Sequence, residues 1–394
     1  MNSNKLISFN DTSVAFSSRP DKELKKMYFL FSIMNLDKLT KIGTYFVKFA
    51  IKAGLPVKNV IKSTLFNHFC GGETIQECIP AIKNLGKYKI GAILDYSVEG
   101  AGSETAFDET YKMLIKAIDY AAANVNIPFV VFKMTGLSSA DLLQKIQKRE
   151  KLVGAETVKF DRLKFRIKSL CSHAFENHVK LMVDAEESWI QDIIDELVIG
   201  LMKEYNREDV MVYNTFQMYR KGMLNRLQKL SELATQEGFK IGVKLVRGAY
   251  LEKEHEVAAS KGIETPVYSE KKDTDNSFNE GLKFCLKNIK HIALCSGSHN
   301  EDSNLLQIEI MQQFSIPAND PRCYFAQLYG MGDHISYNLA NEGYNVAKYL
   351  PFGPVKEVMP YLFRRAEENK SIAGQTSREL DLIKREIKRR RLKR

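Results

Sequence analysis

The chain predicts an α/β fold, a distorted (β/α)8 barrel of the TIM type, on three observations. Eight short apolar runs alternate with helical stretches: Ile90–Leu94, Phe129–Phe132, Val179–Val183, Val210–Tyr213, Ile241–Val246, His291–Cys295, Tyr324–Leu328 and Asn345–Leu350. Polar or small residues of chemical interest close nearly every run: Asp95 and Glu99, Lys133, Asp184, Gln217, Arg247, His299, Gln327 and Tyr349. Barrel enzymes gather their sites at the carboxyl ends of the strands, so this clustering is what an active barrel requires. The third observation is negative: no GxGxxG follows a strand and no GxxxxGKS is present, which leaves neither a Rossmann module nor a P-loop.

Residues 1–85 read as a helical arm, with MYFLFSIMN, LTKIGTYFVKFAIKAGL and VIKSTLF carrying apolar residues at three and four spacing, broken at Gly54 and Pro56. Residues 86–375 form the barrel, and 376–394 a basic tail. With 394 residues, 44% hydrophobic and 27% charged, the composition is that of an ordinary globular protein with a large core. The net charge of +10 is uneven, because Arg378–Arg394 alone holds nine basic residues against three acidic ones. Six cysteines (Cys70, Cys78, Cys171, Cys285, Cys295, Cys323) show no CxxC pair and read as reduced core residues. His173 and His178 are five apart, the wrong offset for two ligands on one helical face, so no metal site is expected. No run is long enough to span a bilayer, and the start lacks both a secretory and a transit pattern, so the expected location is the cytoplasm.

Two stretches carry the chemistry. The first, IGVKLVRGAY at 241–250, is a buried strand that ends on Lys244, Arg247 and Gly248, residue types suited to an anion close to the main chain. The second, at 348–369, places Arg364 and Arg365 on a helix behind Pro351, Pro354 and Pro360. Adjacent helical positions diverge by about 100°, so both arginines reach one carboxylate only if the helix end lies across the mouth of a site. Guanidinium forks bind carboxylates bidentately. Lys133, closing FVVFK, is costly inside a barrel unless it meets an anion and would be a third cation for that clamp. Asp184 closes LMVDAEES, where a carboxylate could equally cap the next helix together with Glu186 or Glu187.

Taken together with FVVFKMTGL, LMVDAEES, YNTFQMY, SGSHN and FAQLYGMGD in the same order, these stretches resemble the proline dehydrogenase family from about Ile90 to Asn369. The resemblance implies a monofunctional, FAD-dependent enzyme that oxidises L-proline to Δ1-pyrroline-5-carboxylate and passes electrons to a membrane quinone or similar acceptor. A separate pyrroline-5-carboxylate dehydrogenase would take the product. It further implies that Lys133, Arg364 and Arg365 hold the proline carboxylate, and that Tyr250, Leu328, Tyr349 and Tyr361 wall the ring. Glu99 would pair with Arg364 as a gate. Asp184 would sit near flavin and substrate amine, as a base or as an orienting group. Lys244, where many relatives carry arginine, and Gln217 would face the flavin, with Ala185, the turn Arg247–Gly248–Ala249, and Ser298, His299 and Asn300 around the dinucleotide. The charged segment Glu252–Phe278 would cover one cofactor edge.

Two alternatives stand beside this one. A smaller residue than Tyr349 would go with hydroxyproline, so tyrosine favours proline over the hydroxyproline dehydrogenase reading. A nucleic-acid-binding regulator would need more than a basic tail, and no reader module is legible at the amino terminus. The tail itself places Leu380, Ile383 and Ile387 on one face opposite basic residues, which suits either an anionic bilayer or plain solvated charge.

Overall fold

In the computed structural model the eight apolar runs become eight parallel strands that close in sequence order into a barrel. The structure describes residues 7–34, 58–98, 102–371 and 375–392, and the side chains at 58, 60, 366–371, 375 and 376 lie outside that description. The strands are β1 Ile90–Tyr96, β2 Phe129–Lys133, β3 Lys180–Asp184, β4 Val212–Gln217, β5 Ile241–Val246, β6 Ile292–Gly297, β7 Cys323–Leu328 and β8 Val346–Phe352. Closure is made by β8 against β1, in register from Ile90 opposite Val346 to Tyr96 opposite Phe352.

Alternation along each strand sorts the core into two shells. Ile93, Phe129, Val131, Met182, Tyr213, Cys295, Ala347 and Tyr349 belong to the inner cluster. Val130, Phe132, Leu181, Val183, Val243 and Leu245 pack outward against the helices. The ring of Phe129 meets Tyr213 and Tyr324 edge-on at 5.3 and 4.9 Å, and Lys180 lies over Phe129 and Tyr324 at 5.8 and 5.9 Å. The floor is thereby filled, and chemistry is left to the opposite mouth. The outer helices start where short polar residues cap them: Ser103, Ser139 and Asn300 each accept from a backbone N–H one turn on.

Residues before β1 reach that mouth. Gly71 N–H donates to the Pro351 carbonyl at 2.8 Å and Gly72 bridges to Phe352, so this segment pairs with the end of β8 beyond where β7 leaves it. Phe66 and Phe69 join the inner cluster with Met359, Tyr361 and Leu362 of the helix Val355–Ser371.

The tail departs from expectation. Its helix, Gln375–Leu392, has the anticipated apolar stripe, but Leu380, Leu382 and Ile383 are buried against Ala15, Phe16, Leu24, Met27 and Phe31 of the N-terminal helices. Arg390 is tied to Asp21 and to the carbonyls of Phe16 and Arg19. The stripe, which suited either an anionic bilayer or plain solvated charge, is therefore covered by the protein's own chain; its spacing shows amphipathicity but not a partner remote in the sequence. Among the described residues no helix is long and apolar enough to cross a membrane. All six cysteines are unpaired and none is more than 3% exposed.

Candidate active site

Each strand delivers its last residues to the mouth. Lys133 ends β2 directly opposite Asp184 at the end of β3. Lys133 Nζ donates to Asp184 at 3.0 Å and lies 3.3 Å from the Tyr349 hydroxyl. That hydroxyl donates to Asp184 at 2.7 Å, and Lys244 from β5 donates to the other carboxylate oxygen. Lys244 also sits 4.7 Å over the Tyr349 ring. Burial pushes the Asp184 carboxyl up, but the ammonium groups of Lys244 and Lys133 and the bonds from Lys244 and Tyr349 outweigh it, holding the group well below the usual carboxylate range. Asp184 is thus a fixed anion gripped by two lysines and a phenol. Helix capping, its simpler reading, is done by another residue: Glu254, buried in the charged segment, accepts from Ser188 N–H and Oγ at the start of Ser188–Tyr205.

Above this cluster runs the helix Val355–Ser371. Arg365 is buried, its guanidinium 4.7 Å from the Tyr361 ring, and its charge is felt at Cys70 and His299. Arg364 lies 5.5 Å from the Tyr250 ring, so the helix spans the mouth from the N-terminal segment to the loop after β5. Of the three cations expected in one clamp, Lys133 is bonded within the carboxylate cluster, and the two arginines are carried by the helix Val355–Ser371 beside Tyr250 and Tyr361. Glu99, expected to gate Arg364, lies outside the described residues.

The β4–β6 side is polar. Gln217 donates to the Glu186 carbonyl at 2.7 Å, and Ala185 is buried beside it in the chain. Arg247 is splayed among Asp275 at 2.7 Å, Ser298 at 2.9 Å and Ser303 at 2.9 Å, over the Phe278 ring at 4.4 Å. Gly248 has φ +134°, and a Cβ there would stand 2.5 Å from the Tyr219 ring. Ala249 is exposed next to it. His299 Nε2 accepts from Leu328 N–H at 3.2 Å, which requires that nitrogen to be unprotonated. Burial, with Lys348 and Arg365 nearby, depresses this histidine accordingly. Asn300 caps the helix Glu301–Gln313.

Three carboxylates, Asp95, Glu186 and Asp275, were given no place in the site from sequence. Asp95 in β1 is fully buried, 3.7 Å from Lys133 and bonded by Ser97; its place at a strand end was the only signal. Glu186 accepts from Thr135 N–H at 2.9 Å and is bonded to its hydroxyl, joining the loops after β2 and β3. Asp275 was hidden within the charged segment, where nothing marked it as the partner of Arg247.

A closed (β/α)8 barrel with charged and phenolic groups converging at its C-terminal mouth defines the class, a barrel with the arrangement of an enzyme. The proline dehydrogenase family profile matches residues 78–378, and the chain belongs to that family. It is 35% identical to the mitochondrial proline dehydrogenase 1 of Dictyostelium discoideum over 430 residues, covering 96% of this chain and 74% of that protein. It is 36% identical over 322 residues to the carbapenem antibiotics biosynthesis protein CarD of Pectobacterium carotovorum, covering 82% of this chain and 83% of that one. The hydroxyproline dehydrogenase of Xenopus laevis is 30% identical over 84% of this chain and 78% of its own. Among solved structures, proline utilization A from Bdellovibrio bacteriovorus superposes with a TM-score of 0.72 at 24% identity, over 92% of this chain and 38% of that longer one, a likeness of fold.

Proposed function

We propose that the protein oxidises L-proline to Δ1-pyrroline-5-carboxylate with FAD as cofactor. The observation that carries this reading is the stacked arrangement of Asp184, Lys133, Lys244 and Tyr349 beneath a helix bearing Arg364 and Arg365. The β4–β6 residues fit a flavin dinucleotide. Gly248 leaves bare peptide where a Cβ would meet Tyr219, and Arg247, Ser298 and the capped helix start at Asn300 are donors suited to phosphates. Bound there, FAD supplies an acceptor at N5 for the hydride leaving proline C5.

The chain's own groups bind and orient. Arg364 and Arg365 take the substrate carboxylate by fork-shaped donation, with Lys133 adding positive charge from below. Tyr349 and Tyr361 wall the ring with Leu328 and Tyr250, and positioning is the main catalytic contribution. Asp184, held charged, orients Lys133, Lys244 and Tyr349. Lys244 places a point charge where electron density grows on the cofactor side. The Tyr349 hydroxyl is anchored to Asp184, so the ring cannot swing aside for a hydroxylated substrate. A quinone-type electron acceptor and a separate pyrroline-5-carboxylate dehydrogenase complete the proposal by family resemblance.

An absorption spectrum tests it. The purified protein should show a flavin signature that L-proline bleaches without oxygen and hydroxyproline bleaches more slowly. A colourless protein that stays colourless after addition of FAD, or a flavin indifferent to proline, defeats the reading; faster bleaching by hydroxyproline transfers it to the other substrate.

A further inference from the structure

The end of β7 and the loop that follows it, Leu328–Gly332, carry one residue of the ring wall and are held at successive backbone atoms. Leu328 N–H donates to His299, and Tyr329 N–H donates to the Tyr349 carbonyl at 2.9 Å. Lys348 donates to the Met331 carbonyl and lies 3.5 Å from that of Leu328. Two further partners come from remote parts of the chain. His68 Nε2 meets the Gly330 carbonyl at 2.8 Å, and Glu379 of the last helix accepts from Gly332 N–H. The approach is close: Gly330 has φ +80°, and a Cβ there would lie 2.3 Å from the His68 carbonyl oxygen.

Behind the loop lies a buried ion triad. Lys348, the residue before Tyr349, points out of the barrel and pairs with Asp333 at 2.8 Å; Asp333 also accepts from Arg19 at 3.1 Å. The carbonyl of Arg19 is in turn bound by Arg390, and Arg378 pairs with Glu301, which also meets His334. The N-terminal segment and the last helix therefore lock to each other and to the back of the β7–β8 corner.

We infer that Arg19 and Glu379 are positioning residues of the substrate site: from outside the barrel they hold Leu328–Gly332 and so set how tightly Leu328 and Tyr349 close on a five-membered ring acid. The identity of the ring acid rests on the proposed function; the control of the loop does not. Arg19→Met leaves Asp333 still paired with Lys348, so no uncompensated charge is created. Glu379→Ala removes the acceptor for Gly332, and Glu379→Gln restores one.

Amide hydrogen exchange and ligand affinity on the full chain test this together. Arg19→Met and Glu379→Ala should speed exchange across 328–333 while the floor around Phe129 and Lys180 keeps its protection. They should raise KM for L-proline, and Kd for cyclopentanecarboxylate, about ten-fold with kcat changed far less, and Glu379→Gln should recover most of the loss. Folded variants with unchanged exchange in the loop, or with faster exchange and unaltered KM and Kd, overturn the inference. If either variant does not fold, Arg19→Leu and Glu379→Val, which remove the same contacts, take its place with the same criteria. A wild-type protein that neither oxidises proline nor binds the ring acid overturns the functional reading and the substrate half of this one, and exchange alone then decides the loop.

Discussion

At Glu186 one oxygen accepts the Thr135 N–H and the other meets the Thr135 hydroxyl, which can receive the carboxyl's own proton. Burial pushes this group up to about 7 from an ordinary 4.5, against the lowering effect of the Thr135 bonds. A carboxyl raised in the fold contributes stability that is complete below its unfolded value and is lost as pH rises through the folded one. The unfolding free energy should therefore fall by about 3 kcal/mol between pH 5 and 8 on account of this residue, and Tm with it. Glu186→Gln should flatten that slope, and thermal melts of both proteins across the range would show it. Asp184 behaves in the opposite sense, since its depressed carboxyl contributes stability above about pH 4 that is lost in acid. Asp184→Asn leaves Lys133 and Lys244 facing a neutral amide; kcat/KM for proline, followed with an artificial electron acceptor, should drop about a hundred-fold.

The turn after β5 offers a check at the scale of an element. Gly248→Ala forces an unfavourable φ and drives a methyl into Tyr219, which is itself buried, so stability should fall by about 2 kcal/mol. Flavin bound per protein should fall with it, and a variant with full flavin content would show that this turn does not cradle the cofactor. All eight strands were legible as apolar runs, and β5 at both its ends, but the carboxyl ends of others were set too early. β1 continues through Asp95, β2 takes in Lys133, and β4 continues to Gln217, because strand ends at a mouth carry the site's polar residues rather than core ones. The run from Val210 begins early for a related reason: the Asn206 side chain takes the N–H groups of Met211 and Val212 before the ladder starts. Of the candidate site, Lys133, Asp184 and Tyr349 were expected toward the carboxyl ends of strands, and they lie there in β2, β3 and β8. Asp95 beside Lys133, Glu254 capping a distant helix and Glu379 on Gly332 were not legible, since contacts between remote residues leave no periodic mark in a sequence.

Over the whole molecule, the pairing of β8 with β1 closes the barrel between strands remote in the chain, and the N-terminal helices and the last helix pack together outside it. Asp333 joins the barrel to the N-terminal segment; burial raises its carboxyl, but Lys348 and Arg19 hold it well below the usual range. Asp333→Asn leaves two cations facing a neutral amide in the interior, and urea unfolding should register a loss of about 3 kcal/mol, with a smaller loss at low pH where the native carboxylate is itself neutralised. The six cysteines, shut away in inner and outer shells alike, give a way to watch this architecture come apart. A thiol-reactive dye should leave the native protein unstained and mark each sulfur only as its own layer opens, so that the order of labelling along the chain becomes a map of which wall yields first.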